Sequence, residues 1–206
     1  MENFQNIKTE WNLTPLFESD DDPRIELRRK EIEKNTSEFV NKWKNTEDYL
    51  NNPKVLKQAL DEYEKWCRNY GLNNDIDELL IGDEGYYFYL RTQQDQISTE
   101  LKAKLNKIQD FTNKIENDMK FFTLKISKIR LENQRKFLYN NGLKKYRYFL
   151  ETLFAKAKHF LSEEEEKIMN LKSSVSYSNW VKMTSSFLSK EERKLALKKG
   201  EEIKNF

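Results

Sequence analysis

The chain has 206 residues, 35% of them charged and 37% hydrophobic, with 37 Lys+Arg against 35 Asp+Glu and a net charge of +2. That balance excludes a general electrostatic attraction to nucleic acid or to an anionic membrane. The single cysteine, Cys67, excludes an intrachain disulfide, and the longest apolar run, Tyr86 to Leu90, is far too short to span a bilayer.

Thr9 to Phe17 reads TEWNLTPLF. Trp11, Leu13, Leu16 and Phe17 fit neither helical nor strand spacing, and Pro15 forbids a continuous helix. The stretch reads either as an arm packed on its own domain or as an anchor onto another, because four large apolar residues are costly to leave wet. These four are the candidates for interdomain packing. Asp22 and Pro23 then open a helix as cap and first residue, with the acidic run Asp20 to Asp22 at its positive end. Ile25, Ile32, Phe39 and Trp43 share a face, and the pairs Glu26→Lys30 and Glu38→Lys42 decorate the exterior.

Asn52-Pro53 repeats the punctuation. The stripe that follows is Leu56, Ala59, Leu60, Tyr63, Trp66, Cys67 and Tyr70, with Gly71 as its stop. Cys67 inside that stripe reads as a small core residue, not a reactive thiol. Leu72 to Asp83 is a polar, mixed connection. The aromatic run Tyr86 to Leu90 is compatible with a strand by propensity. It has no partner strand of similar composition, so a short helix is expected, with a turn over Arg91 and Gln93 to Asp95.

Ser98 to Ile129 is the most regular stretch. Leu101, Leu105, Ile108, Ile115, Met119, Phe122, Ile126 and Ile129 recur at alternating steps of four and three, broken only at Thr112. This is one apolar side of an α-helix, free of Gly and Pro and capped by Ser98. Such a helix is about 45–50 Å long, so the expected fold is all-α: an elongated helical bundle built on one long helix near residues 98–129. A two-stranded piece near Tyr86 or in the final ten residues is the most strand such a fold accommodates.

Helical character continues past Leu131 and Phe137 to Tyr139, and Asn140-Asn141-Gly142 ends it. A further helix carries Tyr146, Leu150, Leu153, Phe154 and Ala157. Ser162 with Glu165 forms a capping box before Ile168 and Leu171. Ser173 to Ser176 reads as a loop, Trp180, Met183, Thr184 and Phe187 as another short stripe, and Ser189 with Glu192 as a second capping box.

Chemistry-bearing constellations are few. His159 is the only histidine. It lies at a helix end, where bonding to free carbonyls accounts for it. One His and one Cys far apart make no zinc site. There is no Gly-rich phosphate loop. The acidic run Glu163 to Glu166 suits a helix start better than a cation site. In Lys144 to Tyr148 (KKYRY), Tyr146 belongs to the helix stripe, which argues against a nucleic-acid patch.

Several segments together resemble the oligoendopeptidase F family of zinc peptidases. They are Trp11-Asn-Leu-Thr-Pro-Leu-Phe17 with Asp22-Pro23, and Tyr86-Tyr87 through Leu90-Arg91 with Asp95. Phe121-Phe122 in the long helix, then Leu143, Tyr146 and Leu150, His159-Phe-Leu-Ser162 with Glu165, and Trp180 continue the likeness. Order and spacing agree over nearly the whole chain. The resemblance implies a mostly helical fold in a cytoplasmic enzyme that cleaves short peptides inside a channel between two lobes. The family's H-E-x-x-H motif does not occur in residues 1–206. Residues 1–206 therefore correspond to the amino-terminal lobe, and no catalytic or metal-binding residue carries over. The implied partners are the chain's own carboxy-terminal catalytic lobe, with its zinc, and an oligopeptide substrate; neither nucleic acid nor membrane is expected. The alternative is an independent helical interaction module that uses its long stripe to bind a partner helix.

Overall fold

The computed structural model describes residues 11–70, 82–197 and 200–205, the last stretch from Glu192 onward as backbone. Its order is α1 (Pro23–Trp43), α2 (Pro53–Tyr70), α3 (Gly82–Gln94), α4 (Thr99–Ser127), α5 (Leu131–Leu138), α6 (Arg147–Lys156), α7 (Glu163–Ser173) and α8 (Asn179–Leu188). Short 3₁₀ turns at Asp48–Leu50, Asn141–Tyr146 and Ala157–His159 link them, and a π-helical turn, Ser174–Ser178, joins α7 to α8. The fold is all-α, closed by one antiparallel hairpin, β1 (Glu192–Leu197) and β2 (Gly200–Asn205), in the register Glu192↔Asn205 to Leu197↔Gly200.

Helix starts obey local chemistry. The Asp22 carboxylate accepts from the Arg24 N–H at 2.9 Å, Asn52 Oδ1 from the Lys54 N–H at 2.9 Å, and Ser98 Oγ from the Leu101 N–H at 3.2 Å. Each satisfies a donor that the first turn leaves free. Gly71 lies outside the described residues.

α4 is the axis. It has 29 residues, about 44 Å at 1.5 Å per residue, and α1, α3, α6 and α7 all contact it. Every residue of its predicted stripe is buried, and so are Phe121 and Leu124 on a second side. Two clusters form along it. Phe17, Ile25, Tyr87 and Phe88 gather on Leu101, Leu105 and Ile108. Residues of α1, α2, α5 and α6 gather on Ile115, Met119, Phe121, Phe122 and Ile126. Thr112, the polar break in the stripe, is wholly buried and falls between the two. Phe122 centres the larger cluster, with ring centroids 4.9 Å from Tyr63, 5.1 Å from Phe39 and 5.5 Å from Tyr49.

Several expectations need correction. Tyr86 to Leu90 is helical as expected, but the helix runs on to Gln94, so Arg91 and Gln93 are not in a turn. The Ser173 to Ser176 segment is no loop, because the π-helical turn carries the chain from α7 into α8. The second capping box opens nothing. Ser189 closes α8 instead, its N–H bonded to the Ser185 carbonyl at 2.9 Å and its hydroxyl donating to the Ser186 carbonyl at 3.1 Å. Lys42 leaves the α1 exterior for Glu62 of α2 at 2.6 Å, and Glu38 faces Lys34 at 4.0 Å.

Candidate functional site

The side of α4 next to its core stripe carries Lys102, Asn106, Gln109, Asn113, Asn117 and Lys120, spaced by threes and fours and therefore aligned along one side. α7 and α8 run back over this polar strip. Lys120 pairs with Glu166 at 3.2 Å, and Asn170 Nδ2 donates to Asn117 Oδ1 at 3.0 Å. Lys182 donates to Asn106 Oδ1 at 3.1 Å and to Gln109 Oε1, and Lys102 to Ser186 Oγ at 3.1 Å. Asn113 sits between these contacts, 3% exposed, and its Oδ1 has no partner. So α7–α8 is seated on α4 by polar groups. α8 in particular is tethered through long lysine side chains.

The consequence is an inverted helix pair. None of the described side chains of α7 or α8 is buried. Ile168, Met169 and Leu171 are just over half exposed, and Val175, Tyr177, Trp180, Phe187 and Leu188 are 62–67% exposed. The capping box at the start of α7 forms as expected, with Glu165 Oε2 accepting from the Ser162 N–H at 2.9 Å and Ser162 Oγ from the Glu165 N–H at 3.2 Å. Residues placed by the sequence on the apolar stripes of two short helices thus face outward. Large apolar side chains exposed in this number on neighbouring helices point to an interaction site.

The four interdomain candidates lie elsewhere and do not stay together. Phe17 is buried, edge-on to Tyr87 at 5.4 Å, and Leu13 and Leu16 are partly buried against the same cluster. Trp11 is 56% exposed, its carbonyl accepting from Gln94 Nε2 at 2.8 Å. The arm is held by the acidic run behind it. Asp20 accepts from Arg91 at 2.9 and 3.1 Å and from the Tyr87 hydroxyl at 2.8 Å, and Asp21 pairs with Lys104 at 2.8 Å. The Arg91 guanidinium, above all, holds the Asp20 carboxyl below its usual range.

The remaining candidates have structural surroundings. His159 is exposed at the end of the 3₁₀ turn that follows α6. Burial pushes the Cys67 thiol up to about 11, which leaves it protonated and unreactive. In the KKYRY segment the Tyr146 hydroxyl donates to Asp61 at 2.6 Å and to Glu64 at 2.8 Å, while Lys145 pairs with Glu64. An open cleft of about 320 Å³ lies here, lined by Asp61, Glu64, Lys65, Arg68, Asn69 and Lys145. Lys145 and the Tyr146 hydroxyl pull Glu64 down to about 2, so it stays charged and serves no proton transfer near neutrality. Among the described residues no three or more His, Cys, Asp or Glu converge as metal ligands do, so the zinc implied by the resemblance finds no fitting donor set there. No helix among the described residues is long and apolar enough to cross a membrane.

Residues 125–186, from the last turn of α4 into α8, match the family model described as oligopeptidase F, which represents the amino-terminal region of M3 peptidases. Over those residues the chain is similar to the amino-terminal region of oligoendopeptidase-F-like proteins. Among solved structures it is similar to a "putative peptidase" from Chlamydophila abortus, with 19% identity and a TM-score of 0.43. That match covers 95% of this chain and 31% of the other, so the chain spans about a third of that peptidase's length. No curated protein matches the chain.

Proposed function

We propose that residues 1–206 form the amino-terminal helical lobe of a zinc-dependent metalloendopeptidase that cleaves short peptides in the cytoplasm. In this reading the lobe walls the substrate channel and limits the size of what enters. It contributes no catalytic residue. The zinc centre, with its water-activating chemistry, belongs to a carboxy-terminal lobe that is the chain's natural partner. The observation that carries the reading is the family match over residues 125–186, which takes in α7 and most of α8 with their outward apolar residues up to Met183. A lobe interface needs such residues.

Supplying a carboxy-terminal lobe that contains H-E-x-x-H, in cis or in trans, tests the proposal. Stoichiometric zinc and chelator-sensitive cleavage of a quenched oligopeptide should appear, and both should depend on this chain. A catalytic lobe that neither binds the chain nor changes its length preference in the chain's presence would overturn it. The second reading, a helical interaction module without enzymatic activity, loses the surface expected for it, because the long α4 stripe is buried in the core; only the exposed apolar residues of α7–α8 speak for it, and that outcome would leave it standing.

A further inference from the structure

We propose that α7–α8 is a releasable strap: it lifts from α4 as one unit, turning at Phe160 to Ser162, while the rest of the fold stays closed. The inference concerns the side of the pair that faces α4, whatever covers its outward side. It does not depend on the oligopeptidase reading.

The first argument is where apolar packing stops. Among the described residues, Phe160 is the last along the chain whose side chain packs on either buried cluster. Its backbone is extended, and Phe160, Leu161 and Ser162 belong to no helix. Beyond them no described side chain of α7 or α8 is buried. Lifting the pair therefore draws no buried apolar side chain of its own into water, the step that makes opening of a core helix costly.

The second argument is what fastens the pair. The clasp consists of Lys120 with Glu166, Asn117 with Asn170, Lys182 with Asn106 and Gln109, and Lys102 with Ser186. Polar contacts of this kind are exchanged for bonds to water at little net cost, and salt screens the charged ones. The two helices are joined by the π-helical turn without an intervening loop, so anchors on either one hold both.

The third argument is Asn113. It lies in the row that forms the seat, buried, and its Oδ1 has no partner. Seating withholds water from that acceptor and supplies no donor in return. Lifting gives the water back, which offsets part of the bonds that are lost. The seat thus carries a defect that brings the lifted state closer in free energy to the seated one.

Hydrogen exchange of the full 206-residue chain, read by mass spectrometry, is the test. α7 and α8 have 11 and 10 residues, and helices of that length are marginal in water without a surface to rest on, so release is read as lost amide protection. At about 0.02 M salt, residues 163–188 should be protected, yet exchange on the order of 100-fold faster than residues 115–126 of the core. Raising the salt to about 0.5 M should speed exchange in 163–188 about threefold and leave 115–126 unchanged. Lys120→Met removes an anchor of α7, and Lys182→Met one of α8. Each should speed exchange across both helices by about threefold. Lys114→Met, whose partner Glu33 lies on α1, should change neither. Exchange of 163–188 at the slow rate of the core would overturn the proposal, because the pair would then open only with the whole chain. So would the rate of an unstructured peptide at low salt, because the pair would then have no seat. Acceleration confined to the helix that carries the substitution would overturn the single unit, and indifference to salt and to both lysines would overturn the clasp.

Discussion

A pair of truncations separates the two sides of this molecule. Phe122 is fully buried and has three aromatic rings within 5.5 Å, centroid to centroid. Phe122→Ala removes a ring from the middle of the larger cluster, where residues of α1, α2 and α4 pack around it. The expected loss is about 3–5 kcal/mol. At roughly 2–4 °C per kcal/mol for a chain of this size, the melting temperature should fall by about 6–20 °C. Trp180 is as large a residue, but 62% exposed, and its helix rests on α4 through Lys182 and Ser186. Trp180→Ala should cost less than about 0.5 kcal/mol. Thermal melts followed by circular dichroism are the assay. Equal losses for the two variants would refute the inverted orientation of α7–α8, because Trp180 would then be holding up a core.

The Tyr49 hydroxyl is buried without a partner, so Tyr49→Phe should stabilise the chain by about 1 kcal/mol in urea titration; a loss of that size would mean that the hydroxyl is satisfied. Asp20 is held below its usual range, chiefly by Arg91, and its stabilising contribution is complete above the ordinary carboxylate value of about 4 and lost as pH falls through the lower folded-state value. Glu84 has the opposite sign: burial raises it despite Arg29, so its contribution is complete below the ordinary value and lost as pH rises through the raised one. At pH 7 Asp20→Asn should therefore lower the urea midpoint more than Glu84→Gln, and the reverse order would show that the Arg29–Glu84 pair outweighs its desolvation. Native Cys67, with its thiol near 11, should react with a disulfide reagent at pH 8 about 100-fold more slowly than in the unfolded chain, and prompt stoichiometric labelling would contradict that burial.

Elements whose cause is local were legible in the sequence. The Asp22, Asn52 and Ser98 caps act on N–H groups two or three residues away, and each opens its helix where expected. The 98–129 stripe was legible for the same reason, since a helical period is written in the nearest turns. Phe121 and Leu124 escaped it. A period identifies the richest side of a helix, whereas burial on a second side depends on how many neighbours arrive, and α4 receives four helices. The bond from Arg91 to Asp20 spans 71 residues. Nothing near either residue distinguishes that carboxylate from Asp21 or Asp22, so the acidic run could be read only as helix polarity.

The candidate site was half legible, and its missing half is instructive. Ile168, Leu171, Trp180, Met183 and Phe187 were recognisable as helical stripes, but a stripe states only that one side is apolar. Which side a helix turns inward is decided by the surface it lands on. Here that surface is amide-rich: Asn106, Gln109, Asn113 and Asn117 lie along α4 in a chain whose wet surfaces are otherwise dense in Lys and Glu. Exposed helix positions favour charged residues that pair four apart. A row of uncharged amides gains nothing in water over such pairs, but it can bond another polar helix side without burying unpaired charge. Three of these four amides do so, meeting Lys182 and Asn170. A row of amides three and four apart on an otherwise charged helix is thus a sign of a polar seat. A helix resting on a polar seat must present its apolar residues to whatever arrives next.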